Sequence, residues 1–333
     1  MNGASPQTLV APGQGSFRAV LSRWHDRARA LFMLNWAYSP SMQAIRNGFL
    51  FCLPLVTTGA IAVLLNNLPL PGYDEFMKQV FGEGWKRFGE LVWQGTFGII
   101  SIPMLVGTSY HLAVLDNHKH VATPVSPLIT ALTALASIMI ILPSDGEGGI
   151  IQHMGTQGLF SSILVSIIAS RVFLKLARLR LLTMLIYSEG TEASIQQVFA
   201  SLIPSIITVC LFGAFYFVFR WLFGVSVHQA VHEAILFPFH FEWIQQPLNM
   251  SISFVLLVHI FWFFGIHGLN VLDPLTKNLF ASASEANAEA LAAGLPLPNI
   301  VTKDFLDIFI FIGGSGSSLC LLLALFIASR NGG

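Results

Sequence analysis

Charge is scarce in this chain. Asp, Glu, Lys and Arg make up only 10% of its 333 residues, where a soluble domain carries roughly 25%. Basic and acidic residues number 17 each, for a formal net charge of zero. No broad basic face exists to meet a phosphate backbone, so nucleic acid is excluded as a partner. Cysteine is nearly absent too. Cys52, Cys210 and Cys320 are far apart, each inside an apolar run, and none has metal-ligand spacing. Each is read as a buried structural thiol. His118-x-His120 has no third ligand nearby, and His228, His232 and Glu233, which could share one helix face, also lack one. Neither group makes a zinc site, and no metal or cofactor is expected. The N-terminal segment is polar and Arg-bearing, so no cleavable signal peptide is expected before the first apolar run.

Apolar residues fill the space that charge leaves. The chain is 54% hydrophobic with a mean hydropathy of +0.69, and its charges gather between long apolar runs, as in a polytopic membrane protein. The expected fold class is all-α, with about seven hydrophobic segments. Residues 1–16 are rich in Gly, Pro, Ser and Gln and read as disordered. Residues 17–36 mix Arg with Trp24, Leu31 and Phe32 and read as an amphipathic helix on the membrane surface. Spans are expected over 48–65, 96–115, 125–142, 159–176, 198–223 and 248–266, with a polar turn at 116–120. The fifth span is kinked or entered at Pro204. Basic residues dominate before the first span and after the fourth, so the positive-inside rule puts the N terminus in the cytoplasm.

Two stretches stand out from this frame. Phe261–Asn270 closes the sixth apolar run with an imidazole between glycines, Gly265-Ile266-His267-Gly268, and an amide at Asn270. A polar side chain at membrane depth is costly unless it faces protein or a wet cavity, which makes His267 a site candidate. The other reading is a helix-end histidine bonded to backbone. The second stretch, Phe311-Ile312-Gly313-Gly314-Ser315-Gly316, interrupts the last apolar segment, 305–328. Glycine breaks in neighbouring hydrophobic segments mark discontinuous helices, possible only where protein or cavity water satisfies the freed backbone. Between the two, 273–294 is Ala- and Glu-rich and helical in propensity.

The order of motifs resembles the membrane-embedded IIC component (EIIC) of phosphotransferase-system sugar permeases, in the lactose/cellobiose/diacetylchitobiose group. The resemblance rests on Gln43–Phe49, Asn67–Tyr73, Thr96–Ile99, Gly155–Phe160, Trp262–Asn270, Gly294–Thr302 and Ile312–Gly316. It implies a homodimeric bacterial inner-membrane protein that binds a disaccharide in a midplane cavity, embedded in lipid. Separate IIB and IIA phosphocarrier proteins would phosphorylate the sugar. By the same resemblance, His267, Gly268, Asn270, Gln157, Gly158, Asn299, Gly314 and Ser315 are the sugar-site residues. Residues 37–223 would form a five-span bundle and 224–333 the sugar-binding part. The Asn-Glu-Pro-type motif, whose glutamate the family places beside the sugar, does not occur up to Gly333. The EIIC fold is therefore expected to be partial, with no complete catalytic site in the chain. The segment around Tyr187–Gly190 also departs from the family's Pro-Glu-Gly-Val-Pro-Pro pattern. An alternative reading is an EIIC-like sensor module of a signalling protein, fused to a cyclic-di-GMP phosphodiesterase domain; a generic membrane scaffold would leave the motif order unexplained.

Overall fold

The computed structural model describes residues 38–121, 123–143, 149–179, 193–264, 266–312, 314–315 and 322–327. The amphipathic segment expected over 17–36, most of the connection around Tyr187, and Cys320 lie outside them. Among the described residues the structure is helical, with no strand.

Helix α1 (Pro40–Asn66) starts where Ser39 accepts a hydrogen bond from the Met42 amide and Pro40 takes the first turn, a position where its missing N–H costs nothing. At 27 residues it is about 40 Å long, enough to cross a hydrocarbon core of about 30 Å. The connection after it folds into two amphipathic helices, α2 (Tyr73–Phe81) and α3 (Lys86–Thr96). Asp74 pairs with Lys78 and Lys86 between them, and the Asn66 amide donates to the Lys86 carbonyl at 2.9 Å.

A 3₁₀ turn, Phe97–Ile99, carries α3 on into α4 (Ser101–Lys119), and Lys86–Ile99 is bent from α4 by 43°. Both the amide and the hydroxyl of Ser101 donate to the Met154 carbonyl, at 2.9 and 2.6 Å, which holds the bend. Helix α4 also corrects the polar turn expected at 116–120, because Asp116 to Lys119 are helical. Asn117 accounts for this: its side chain donates to the Val125 carbonyl and accepts from the Val125 amide, so the helix runs on before the chain turns. Helices α5 (Pro127–Ile141), α6 (Leu159–Ala177) and α7 (Ala193–Phe223) complete a bundle. Thr133 of α5 meets Ser205 of α7 at 3.0 Å.

Three helices among the described residues are long and apolar enough to span a membrane, four if the bent pair is one span. Pro127–Ile141 and Pro247–Phe263 are shorter apolar helices. The bundle differs from a soluble protein chiefly in its outer surface, since Met104, Leu105, Ile138 and Phe173 are buried within it. Its interior also holds small residues such as Thr108, Ser137, Ser162, Ser166 and Ser170, while Phe51, Leu64, Leu128, Phe217 and Trp221 point outward. Helices associate in lipid in this way, through close packing of small side chains. It also corrects one expectation: Cys210 is exposed, though Cys52 is buried. An apolar run need not be covered by protein when lipid covers it.

After α7 the helices shorten to α8 (Val227–Leu236), α9 (Pro247–Phe263), α10 (Gly268–Val271), α11 (Asp273–Thr276) and α12 (Ser282–Ala292). Two π-helical turns, Lys277–Ala281 and Leu306–Ile310, flank α12. Phe254, Leu272, Leu275, Phe280 and Leu306 make a separate core here. Ile266 and Val271 join this half to Met42, Met104 and Leu159 of the bundle.

Candidate functional site: the His267 corner and the Gln157 turn

Helix α9 ends at Phe263, three residues short of the expected span, and the chain turns a corner before α10. The Ile266 amide donates back to the Phe261 carbonyl at 3.0 Å, and the Val271 amide to the His267 carbonyl at 3.2 Å. His267 is the N-cap of α10, its Nδ1 accepting from the Asn270 amide at 3.3 Å. That bond assigns the ring proton to Nε2, leaving an N–H donor on the far side of the imidazole. The ring lies against Trp262, with centroids 4.7 Å apart. Trp262 Nε1 is buried and makes no hydrogen bond among the described residues. A buried donor of this kind calls for an acceptor. Gly268 is the residue that lets the corner close, because a Cβ there would sit 2.4 Å from the Val258 carbonyl oxygen. The helix-end reading of His267 is thus met through Nδ1, which caps α10.

The Gln157 turn lies just before α6. Gly158 is buried, and a Cβ on it would fall 2.0 Å from the His153 carbonyl oxygen, so only glycine fits. Gln157 lines a cavity of about 490 Å³ that also takes in His153, His228, His232, Lys277 and Asn278. His228 Nδ1 lies 2.9 Å from the Ser161 hydroxyl, and its ring is 4.9 Å from that of His153. Asn278 donates to His232 Nε2 at 3.0 Å. Burial, with help from His153 and His232, pushes the His228 pKa down to about 4, so the cavity wall is uncharged at this residue near neutral pH.

The eight residues singled out in the sequence fall into four groups. Gln157 lines the polar cavity with the buried Gly158 behind it, and His267, Gly268 and Asn270 stand at the corner. His267 is not among the residues lining the 490 Å³ cavity. The two places are joined by Asp273 of α11, which accepts from Thr156 at 2.5 Å and pairs with Lys277 at 2.8 Å. Asn299 forms a reciprocal clasp with Asn287: each backbone or amide N–H donates to the other's oxygen, at 2.8 and 3.0 Å. Gly314, at φ +107°, and the half-buried Ser315 follow the second π turn. His153, Lys277 and Asn278 were not legible as site residues. They come from segments more than a hundred residues apart in sequence and carry no local motif.

Comparison with known proteins agrees with this architecture. The model of the phosphotransferase-system EIIC family matches residues 46–332. The lichenan permease IIC component of Bacillus subtilis is 27% identical, with 87% of this chain and 65% of that protein covered. The cellobiose-specific EIIC component of Geobacillus stearothermophilus is 26% identical over the same shares. The chain thus spans just under two thirds of the length of these relatives. The crystal structure of the transporter ChbC, the IIC component of the N,N'-diacetylchitobiose-specific phosphotransferase system, superposes with a TM-score of 0.61 at 25% identity. It covers 90% of this chain and 71% of its own. Helices that bury small residues and expose apolar ones, a histidine corner after a shortened span, and a family match over most of the length lead to one conclusion: this chain is a multi-pass membrane protein of the phosphotransferase-system EIIC family.

Proposed function

We propose that the chain is the sugar-binding and translocating component of a phosphoenolpyruvate-dependent phosphotransferase system, with a β-linked disaccharide such as cellobiose or diacetylchitobiose as substrate. The named specificities of its relatives, lichenan, cellobiose and diacetylchitobiose, support that substrate class. The observation that carries the reading is the pair of N–H groups at the α9–α10 corner, His267 Nε2 and the orphan Trp262 Nε1. Donors beside an aromatic face suit a sugar, whose hydroxyls accept hydrogen bonds and whose C–H faces pack on rings. Asn270, Gln157, Asn299, Gly314 and Ser315 are proposed to complete the binding region. Separate IIB and IIA proteins supply the phosphoryl group in this reading. Residues 37–223 mediate a homodimer and 224–333 carry the sugar site, in a bacterial inner membrane with the N terminus cytoplasmic.

The test is sugar binding to the purified protein by calorimetry. His267→Ala removes a donor from a site built around it and should weaken cellobiose or diacetylchitobiose binding by about 1–3 kcal/mol, roughly 5- to 150-fold in Kd. His267→Gln keeps a donor and should lose less. Equal binding by the Ala variant and the unsubstituted protein would reduce His267 to a helix cap.

A further inference from the structure

At the end of the bundle where α4 and α6 finish, a second cavity opens against the start of α1. It measures about 290 Å³, at the lower bound of the roughly 300–1,000 Å³ usual for small-molecule sites and well below the cavity at Gln157. Its floor is apolar, made by the buried Leu112 and Leu174, and its walls are charged. Four cations line it, Lys119, Arg171, Lys175 and Arg178, against one carboxylate, Asp116.

These charges are not used up by one another. Arg178 forms an ion pair with Asp116 through Nη1. Arg171 donates to the Ser41 hydroxyl at 2.5 Å. Lys119 and Lys175 make no ion pair among the described residues. Most telling is the other edge of Arg178: its side chain is only 17% exposed, and both Nε and Nη2 are buried without a hydrogen bond among the described residues. These two nitrogens lie on the same edge of the guanidinium and form a fork. A fork of this kind takes two oxygens of a phosphate or carboxylate at once. Leaving such donors buried and unmet is costly, so something is expected to meet them.

We propose that this cavity is an anion site for a phosphate-bearing group, held bidentately by Nε and Nη2 of Arg178 and flanked by Lys119 and Lys175. Its place fits that chemistry. Arg178 is one residue past the end of α6 and Lys119 is the last residue of α4, so the cavity sits where apolar helix gives way to polar surroundings. Basic pockets between helices at that level receive the headgroups of anionic phospholipids. Free phosphate or a small phosphorylated molecule presents the same group. Asp116 is the exception in the lining: it neutralises one edge of Arg178 and orients the other.

The experiment uses the full chain purified in a neutral detergent. Binding is followed by native mass spectrometry and thermal melting in three arms: phosphatidylglycerol added to the micelles, phosphatidylcholine added likewise, and inorganic phosphate. Lys119→Gln/Lys175→Gln should weaken retention of the anionic ligand on the order of thirtyfold, about fivefold per lysine. Arg178→Lys, which keeps the charge and loses the fork, should weaken it too. Lys78→Gln/Lys86→Gln removes two charges elsewhere and should leave it unchanged. Selective retention of phosphatidylglycerol identifies a lipid headgroup, and displacement or stabilisation by phosphate alone identifies a free phosphate group. Equal affinity for phosphatidylglycerol and phosphatidylcholine with no effect of phosphate would overturn the proposal. So would equal losses in the two double-lysine variants, which would mean diffuse surface charge.

Discussion

Single residues at the polar cavity carry a pH signature. The His228 pKa lies at about 4, lowered from 6.5 first by burial and then by His153 and His232. A histidine held neutral in the fold contributes stability in full above its unfolded pKa. That contribution is lost as pH falls from 6.5 toward 4, where the unfolded chain takes a proton that the folded chain refuses. The melting temperature in detergent should therefore fall over that interval, and His228→Gln should flatten the fall. An unchanged pH profile in the variant would remove His228 as its source. At this scale the sequence was half legible. The spacing of His228 and His232 put them on one helix face, which α8 shows, but their partners Ser161 and Asn278 are 67 and 46 residues away. Contacts of that kind leave no periodic trace. His267 stood out because an imidazole at the end of an apolar run breaks a strong pattern, and the structure places it at the N-cap of α10.

At the scale of elements, hydropathy located the helices and caps set their limits. Ser39-Pro40 and Ser126-Pro127 are start signals of the usual kind, and both begin helices here. The extension of α4 to Lys119 was hidden because it depends on Asn117 meeting Val125 across the turn. The closeness of α1 to α4 was hidden as well. Gly48 leaves no room for a side chain, since a Cβ there would stand 2.4 Å from Thr108 Oγ1 and 3.0 Å from the Thr108 amide. Gly107 faces it from the other helix, a Cβ there lying 3.2 Å from Gly48 Cα. Gly48→Val should force the helices apart and lower stability by about 1–3 kcal/mol, the usual cost of overpacking. Leu50→Val, at an outward position 56% exposed, should change the melting temperature little. Equal shifts in the two variants would mean that the crossing tolerates separation.

For the whole molecule the orientation in the membrane is open to a direct measurement. With the N terminus cytoplasmic, a cysteine placed at Ile151 should react with an impermeant reagent in intact cells, and one at His118 should not; the opposite pattern would invert the topology. Both positions are exposed, so access through the membrane decides the result. Composition was enough to read an all-helical membrane protein, because scarce charge leaves few other ways to satisfy a backbone in lipid. The division of labour along the chain was harder to see, since it lies in hydrogen-bond ladders. The bend at residues 97–101 is bolted to Met154 by both polar groups of Ser101, which makes it a strut rather than a hinge. Ladders are interrupted elsewhere as well, by Pro54 in α1 and Pro204 in α7, at the corner before α10, and at the π turns Lys277–Ala281 and Leu306–Ile310. The bolt at Ser101 is what sets the 97–101 bend apart from those breaks, and taking away half of it, as Ser101→Ala would, should loosen the strut toward a joint.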